Sequence, residues 1–191
     1  MDHFLPGRRT FLTQSSLLAL GAGFSIDSLI AQTPRKQPPI LLKELTPSER
    51  ELVDGSSMAK DLESCFSSYS CAESALLVAL RFLGKPEELV WAAGGFGGGL
   101  GHRDLCGFLT GGVMAIGFQA GSLSVERKEA KKRCRSLVKN YWQVWTSMAP
   151  LHCSEILEGR EGYAVCNRLG CLASARLERL LEPMSTSPVT S

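Results

Sequence analysis

The seven cysteines of this chain form none of the short motifs that usually identify a cysteine site. There is no C-x-x-C, the spacing typical of thioredoxin-like redox motifs and of structural zinc ribbons. There is no C-x-x-C-H, so covalent c-type haem has no attachment motif. The ferredoxin spacing C-x₂-C-x₂-C is also missing. Any shared site must therefore be assembled from cysteines that are far apart in the sequence.

Charge of one sign and aromatic residues are also scarce. The net charge is +2, and aromatic residues make up 7% of the chain. This composition argues against nucleic acid as a partner, because such proteins need a large cationic excess. The one basic run, residues 127–135, is interleaved with helix-forming residues. We interpret it as the solvated face of a helix.

Nucleotide-binding motifs are missing, although glycine is locally abundant. Residues 94–101 hold six glycines in eight positions, but no Gly-Lys-Ser/Thr follows and no G-x-G-x-x-G opens a helix after a strand. Glycine lets another group approach the backbone closely. We therefore predict that Gly97, Gly98 and Gly99 form a loop that a cofactor can approach.

The apolar runs near the N-terminus are short. Paired arginines, Arg8 and Arg9, precede a weakly apolar stretch over residues 15–30, which falls below the roughly 20 residues that a spanning helix needs. This layout predicts a twin-arginine signal peptide over residues 1–31. The chain would use the twin-arginine translocase and reach the periplasm, with membrane contact only through this segment, either cleaved or retained as an anchor. That compartment tolerates disulfides.

No stretch sustains the apolar and polar alternation of a strand, so the fold class is predicted to be all-α, a compact helical bundle. A proline-rich linker over 32–45 leads into a cysteine-containing helical domain over 46–182, followed by a disordered tail over 183–191. Caps and breakers predict helices over 47–65 (weakened at Gly55), 71–82, 86–93, 106–119, 124–148, 153–158 and 171–182. Gly107, Gly111 and Ala115 form a small-residue stripe that favours close helix packing.

Four cysteines lie where helices are predicted to begin: Cys71, Cys106, Cys153 and Cys171. A helix start carries unpaired N–H groups and a partial positive charge, both of which favour thiolate over thiol. Thiolate attacks disulfides and binds metals, so these four are the candidate catalytic and metal-ligating residues. His152 is the best placed histidine to act as a base or ligand. The remaining three, Cys65, Cys134 and Cys166, are weaker candidates.

Across residues 65–181 the chain resembles the C-GCAxxG-C-C family of small redox-active proteins. The resemblance is carried by four blocks: SCAESALL from residue 70, AAGGFGGG from residue 92, CGFLTGGVMAIG from residue 106, and CSEIL from residue 153 with the later Cys171. It maps the four family cysteines onto Cys71, Cys106, Cys153 and Cys171. Phe108 replaces the alanine of the motif, which implies a narrower or more apolar pocket beside Cys106.

The sequence leaves three uses of these cysteines open. In one, Cys71 and Cys106 cycle between dithiol and disulfide, with Cys153 and Cys171 as a second pair. In another, the four sulfurs ligate an iron–sulfur cluster or another thiophilic metal and transfer electrons to a redox partner protein. In the third, the chain is a non-catalytic helical envelope domain with structural disulfides.

Overall fold

A computed structural model describes residues 45–123, 126–159 and 163–185, all of which belong to one compact unit, Lys36–Ser191. The predicted signal peptide, almost all of the predicted linker and residues 186–191 of the predicted tail lie outside the described residues. The fold class is all-α, as predicted, and the described residues contain no strand. Their seven α-helices are α1 Pro47–Gly55, α2 Ser57–Cys65, α3 Cys71–Phe82, α4 Gly107–Leu123, α5 Arg127–Met148, α6 Cys153–Leu157 and α7 Ala164–Ser185.

The N-terminal helical region is two helices, whereas the sequence predicted one helix weakened at Gly55. Thr46 and Glu49 form the predicted capping box at the start of α1. Ser56 then adopts an extended backbone (φ −88°, ψ 129°), and its hydroxyl accepts a hydrogen bond from the Ala59 N–H. The break falls at Ser56 because this residue caps α2.

Helix α3 is central, and α4 packs closely against it. The Ser70 side chain and Glu73 form the predicted capping box at the start of α3. A Cβ at Gly111 would collide with the Ala72 carbonyl oxygen of α3, and a Cβ at Gly107 would lie 2.8 Å from the Ala72 nitrogen. The small-residue stripe of α4 therefore makes close contact with α3 at these two glycines, as predicted.

Helix α7 begins seven residues before Cys171, so the prediction of a helix start at Cys171 is wrong. Gly170 had suggested a break, but it lies inside the helix. A Cβ there would be 2.6 Å from the Phe108 ring and 2.9 Å from a Leu62 methyl group. Close packing against these side chains explains the glycine. The helix also continues through Pro183 to Ser185, beyond the predicted start of the tail.

The core is shared by helices from both halves of the described chain. Helix α5 contributes Tyr141 and Trp145, each at most 1% exposed, and the Trp145 indole donates to the Pro150 carbonyl over 3.0 Å. A 3₁₀ segment, Glu87–Phe96, and an irregular turn, Gly99–Arg103, join α3 to α4. Within the described parts of the chain, no helix has the length and apolar character needed to cross a bilayer.

Candidate functional site

Cys106 precedes the first residue of α4, and its sulfur lies at the open N-terminal end of that helix. The Cys106 carbonyl accepts the Thr110 N–H over 3.1 Å, which makes Cys106 the N-cap residue. Its sulfur receives hydrogen bonds from the backbone N–H groups of Phe108 and Leu109. The Cys106 N–H donates to the Leu151 carbonyl over 2.9 Å. The residue is thus held by both its own helix and a distant segment.

Cys153 is joined to Cys106 through that distant segment. Its N–H donates to the Asp104 carbonyl over 2.7 Å, and Leu105 and His152 form an isolated antiparallel bridge. Cys153 then begins α6. Two short backbone segments, 104–106 and 151–153, therefore bring together cysteines that are far apart in the sequence.

Cys71 is the third cysteine of the group. It is the first residue of α3, and its sulfur packs against the Cα of Gly107, where a Cβ would overlap it. Its charge influences the ionisation of both Cys106 and Cys153. Cys71 is half-buried, whereas Cys106 and Cys153 are buried. We refer to Cys71, Cys106 and Cys153 as the thiol triad; all three are free thiols in the structure.

The electrostatics of the triad differ from the sequence-based expectation. Burial raises the pKa of Cys106, and a Cys71 thiolate would raise it further, although the N–H groups of Phe108 and Leu109 act in the opposite direction. Burial also raises the pKa of Cys153, again with a contribution from Cys71. The prediction that helix starts lower these pKa values is wrong, because desolvation exceeds the effect of the helix end. Burial therefore favours the neutral thiol at Cys106 and Cys153.

Cys171 lies in the interior of α7 with different neighbours. Its sulfur is 4.0 Å from a Glu63 carboxylate oxygen and 3.9 Å from the Asn167 side-chain oxygen. Burial raises its pKa to about 11, and the Glu63 carboxylate adds to this. No influence of the triad cysteines on Cys171 is found. The structure thus brings three of the four candidate cysteines together and gives the fourth a separate environment.

The glycine-rich loop packs against the starts of the helices that bear the cysteines. A Cβ at Gly97 would lie 2.6 Å from the Ser70 side chain, and one at Gly99 would lie 2.6 Å from the Asp104 backbone. Gly98 has a φ of 60° and no atom near its Cβ direction. Close packing accounts for Gly97 and Gly99 without a ligand. The predicted cofactor contact of the three glycines stays a prediction.

The same loop carries backbone strain next to Cys153. Leu100 and Arg103 are non-glycine residues with φ of 58°, a left-handed conformation that L side chains rarely adopt. The Arg103 guanidinium opposes the rise in the pKa of Cys153. Strain of this kind is common at functional sites. The strained loop therefore places one cation near a triad thiol.

His152, the predicted base, lies beside the triad and between two carboxylates. Its Nε2 is 3.4 Å from Asp104 Oδ1, and its Nδ1 is 3.1 Å from Glu155 Oε2. All three side chains are exposed. This geometry orients the imidazole towards its acidic neighbours, and no contact between His152 and a cysteine sulfur is found among the described residues.

Tyr141 is a site neighbour that the sequence did not identify. Its hydroxyl donates to the Phe108 carbonyl over 3.2 Å, and a Cβ at Gly112 would collide with its ring. Burial raises the pKa of Tyr141, and a Cys106 thiolate would raise it further. Nothing in the sequence indicated the proximity of Tyr141 to Cys106.

The three weaker cysteine candidates lie outside the triad. Cys65 is buried, and the Arg81 guanidinium donates to its sulfur over 3.3 Å; Arg81 also pairs with Asp61 at 2.9 Å. Cys134 and Cys166 are half-buried in α5 and α7.

The positions of the potential donor side chains are relevant to the predicted metal site. Within residues 45–123, 126–159 and 163–185, no three side chains of His, Cys, Asp or Glu are placed to hold one metal ion. An iron–sulfur cluster or a thiolate-bound metal needs three or four such donors around one point. Cys171 lies apart from the thiol triad, and the metal or cluster shared by the four candidate cysteines stays a prediction.

Comparison with known proteins gave one match. A family model described as "Putative redox-active protein (C_GCAxxG_C_C)" matches residues 69–179, more than half of the chain. The matched range contains the thiol triad, the glycine-rich loop and Cys171. Searches of curated proteins and of solved structures each returned no match.

Proposed function

This chain belongs to the C_GCAxxG_C_C family of redox-active proteins, and from that premise we propose that it carries out thiol–disulfide exchange at the thiol triad. The observation that carries the proposal is the convergence of Cys71, Cys106 and Cys153 at the N-terminal ends of α3, α4 and α6. Three neighbouring thiols can form one disulfide and still retain a free thiol. One pair of thiols suffices to accept and pass on two electrons, and the third thiol can attack the disulfide that the pair forms.

Cys71 is the proposed attacking residue. It is half-buried, whereas its two neighbours are buried, so it is the triad sulfur that a partner disulfide can reach. It is the first residue of α3, a helix of 12 residues. Attack needs a thiolate, and burial opposes thiolate formation at Cys106 and Cys153.

The exchange proceeds in two steps. The Cys71 thiolate attacks one sulfur of a partner disulfide, a Cys71–partner disulfide forms, and the released partner sulfur takes a proton. Cys106 then loses its proton and attacks the Cys71 sulfur, which releases the second partner thiol. Two electrons and two protons pass to the partner, and Cys71 and Cys106 are joined as a disulfide. Cys153 remains available to attack that disulfide.

The proposed setting is the periplasm, reached through the twin-arginine translocase, with a redox protein as the partner. Paired Arg8 and Arg9 ahead of a short apolar stretch support this proposal. A disulfide that forms there persists, because the compartment is oxidising.

The test is disulfide mapping after oxidation of the full chain. We expect mild oxidation of the reduced protein with hydroxyethyl disulfide to produce a Cys71–Cys106 bond, identified by mass spectrometry of peptides. Cys71→Ser and Cys106→Ser should each abolish this bond. Cys134→Ser is the matched control and should behave as the wild type, because Cys134 lies outside the triad.

Two measurements separate exchange from the alternatives. A structural disulfide should lower the melting temperature markedly when reduced, whereas the proposed bond should form and break at little cost in stability. Metal analysis and visible absorption of anaerobically purified protein test the cluster hypothesis. Stoichiometric iron lost on Cys106→Ser, or an oxidised protein with no bond within the triad, would contradict the proposal.

A further inference from the structure

One exposed ridge of α5 is strongly cationic and lies outside the proposed redox site. Lys128, Lys132, Arg135 and Lys139 follow at alternating spacings of four, three and four residues, with Trp142 three residues further on. These spacings place them along one face of the helix. All five side chains are exposed, and Trp142 is 44% exposed. We call this set the basic ridge.

Within the part of the chain that the structure describes, the cations of this helix lack ion-pair partners. Residues 126–139 contain seven of the 21 lysines and arginines but only two of the 19 carboxylates, Glu126 and Glu129. Neither of those carboxylates occupies a position of the basic ridge. Among the described residues, no ion pair involves any of the seven cations, whereas Arg81 forms two ion pairs and Arg176 and Arg179 form one each.

The length of the ridge suits an extended ligand. From Lys128 to Trp142 it spans fifteen residues of a regular helix, with a rise of about 21 Å. The opposite face of α5 is buried in the core, where it contributes Tyr141 and Trp145. An exposed row of charges of this length can lie along an extended anionic surface.

We propose that the basic ridge docks the protein on a bilayer surface that contains anionic phospholipids. Charge complementarity is the first argument, since a cluster of four or more lysines and arginines on a helix attracts anionic headgroups. The second is Trp142 at the end of the ridge, because indole rings favour the headgroup layer. No apolar face of α5 is free to insert, so docking should be electrostatic and reversible by salt.

Vesicle sedimentation of the full chain tests this proposal. We expect the protein to bind vesicles of phosphatidylglycerol and phosphatidylcholine but not vesicles of phosphatidylcholine alone. Binding should be lost in 0.5 M salt, because the Debye length is then only about 4 Å and the charges are screened. The double variant Lys132→Glu/Arg135→Glu should bind at least about tenfold more weakly.

A matched control separates the ridge from overall charge. Lys60→Glu/Arg168→Glu changes the net charge equally at exposed positions on α2 and α7 and keeps residues 1–31. It should bind nearly as the wild type. Equal weakening by both double variants, no binding by the wild type, or tighter binding to polyglutamate or duplex DNA than to the anionic vesicles would each overturn the proposal.

The membrane proposal and the redox proposal can fail independently. Neither double variant alters a cysteine or a residue that contacts the triad, so both should form the Cys71–Cys106 bond as the wild type does. Circular dichroism should show unchanged helix content in both, because all four substituted side chains are exposed.

Discussion

At the scale of single residues, Cys106 experiences two opposing influences on one sulfur atom. The Phe108 and Leu109 N–H groups stabilise its thiolate, but burial and the neighbouring cysteines disfavour it more strongly, so its pKa is raised. A neutral Cys106 thiol is unreactive until a proton acceptor removes its proton or Cys71 forms a mixed disulfide that Cys106 can attack. The resting triad is therefore protected from indiscriminate oxidation, with only Cys71 half-exposed.

Gly107 sets the distance between α3 and the Cys106 end of α4. A Cβ there would overlap the Cys71 sulfur and lie 2.8 Å from the Ala72 nitrogen. We expect Gly107→Ala to lower the free energy of unfolding by about 1–3 kcal/mol, because the two helices must separate. The same variant should form the Cys71–Cys106 bond more slowly. Urea denaturation and disulfide mapping measure these two effects.

Gly117 is the matched control for this substitution. It lies in the same helix, is exposed, and has no atom within 4 Å of its Cβ direction. Alanine is the better helix former, so Gly117→Ala should stabilise the protein by about 0.5–1 kcal/mol. A stabilising Gly107→Ala would contradict the packing assigned to this residue.

At the scale of helices, α7 joins the two ends of the described chain through a buried carboxylate. Glu178 of α7 is 8% exposed and accepts the Ser56 hydroxyl at 2.6 Å and the Met58 N–H at 2.7 Å. Both donors lie at the start of α2, where the N–H groups would otherwise be unpaired. The carboxylate therefore caps α2 from a helix 120 residues away in the sequence.

Glu178→Gln should reveal this link in the dependence of stability on pH. Burial raises the pKa of Glu178, but the hydrogen bonds from Ser56, Met58 and Ser57 outweigh it, so the pKa lies below 4.5 in the folded protein. The carboxylate thus stabilises the fold above pH 4.5, and this contribution is lost as the pH falls through the folded pKa. At pH 7 the variant should lose about 1–3 kcal/mol.

Thermal denaturation between pH 3 and pH 7 measures the difference. The gap between wild type and Glu178→Gln should narrow as the pH falls, because both then carry a neutral group at this position. Glu88→Gln, at an exposed position in the 3₁₀ segment, should change stability little at any pH. A difference in stability between wild type and Glu178→Gln that stays constant with pH would show that the negative charge of Glu178 does not stabilise the fold.

At the scale of the whole molecule, charge and thiols are unevenly distributed. Residues 126–139 carry a charge of +5, and the chain as a whole carries +2, so the rest of the molecule is slightly acidic. The triad lies where α3, α4 and α6 begin, and the basic ridge follows α5. The proposed location outside the inner membrane would give both features a use, because disulfides persist there and anionic bilayers are near.

Export can be tested on the intact chain. Replacing Arg8 and Arg9 with lysine keeps the charge of the N-terminal region but removes the paired arginines. We expect the wild type to appear in the periplasmic fraction of a bacterial host and the double-lysine variant to stay in the cytoplasm. Equal export of both, or export in a host that lacks the twin-arginine translocase, would contradict the prediction.

Local signals in the sequence predicted most of the helical architecture. The sequence predicted the caps at Thr46 and Ser70 and the small-residue stripe of α4, because both features depend on residues that are near one another in the chain. Signals failed where a distant contact outweighed a local one. Gly170 is a helix breaker by propensity, yet Phe108 and Leu62 pack against it inside α7.

For the candidate site, too, the sequence predicted local features, whereas contacts between distant segments decided the rest. Residue type and position selected Cys71, Cys106, Cys153 and Cys171 from seven cysteines, since the signal of a helix start is local, but Cys171 lies inside α7. Which sulfurs meet depends on the pairing of segments 104–106 and 151–153 and on the packing of α3 against α4. Burial is likewise a property of the folded chain, and it reverses the pKa shift that helix ends alone would produce at Cys106 and Cys153.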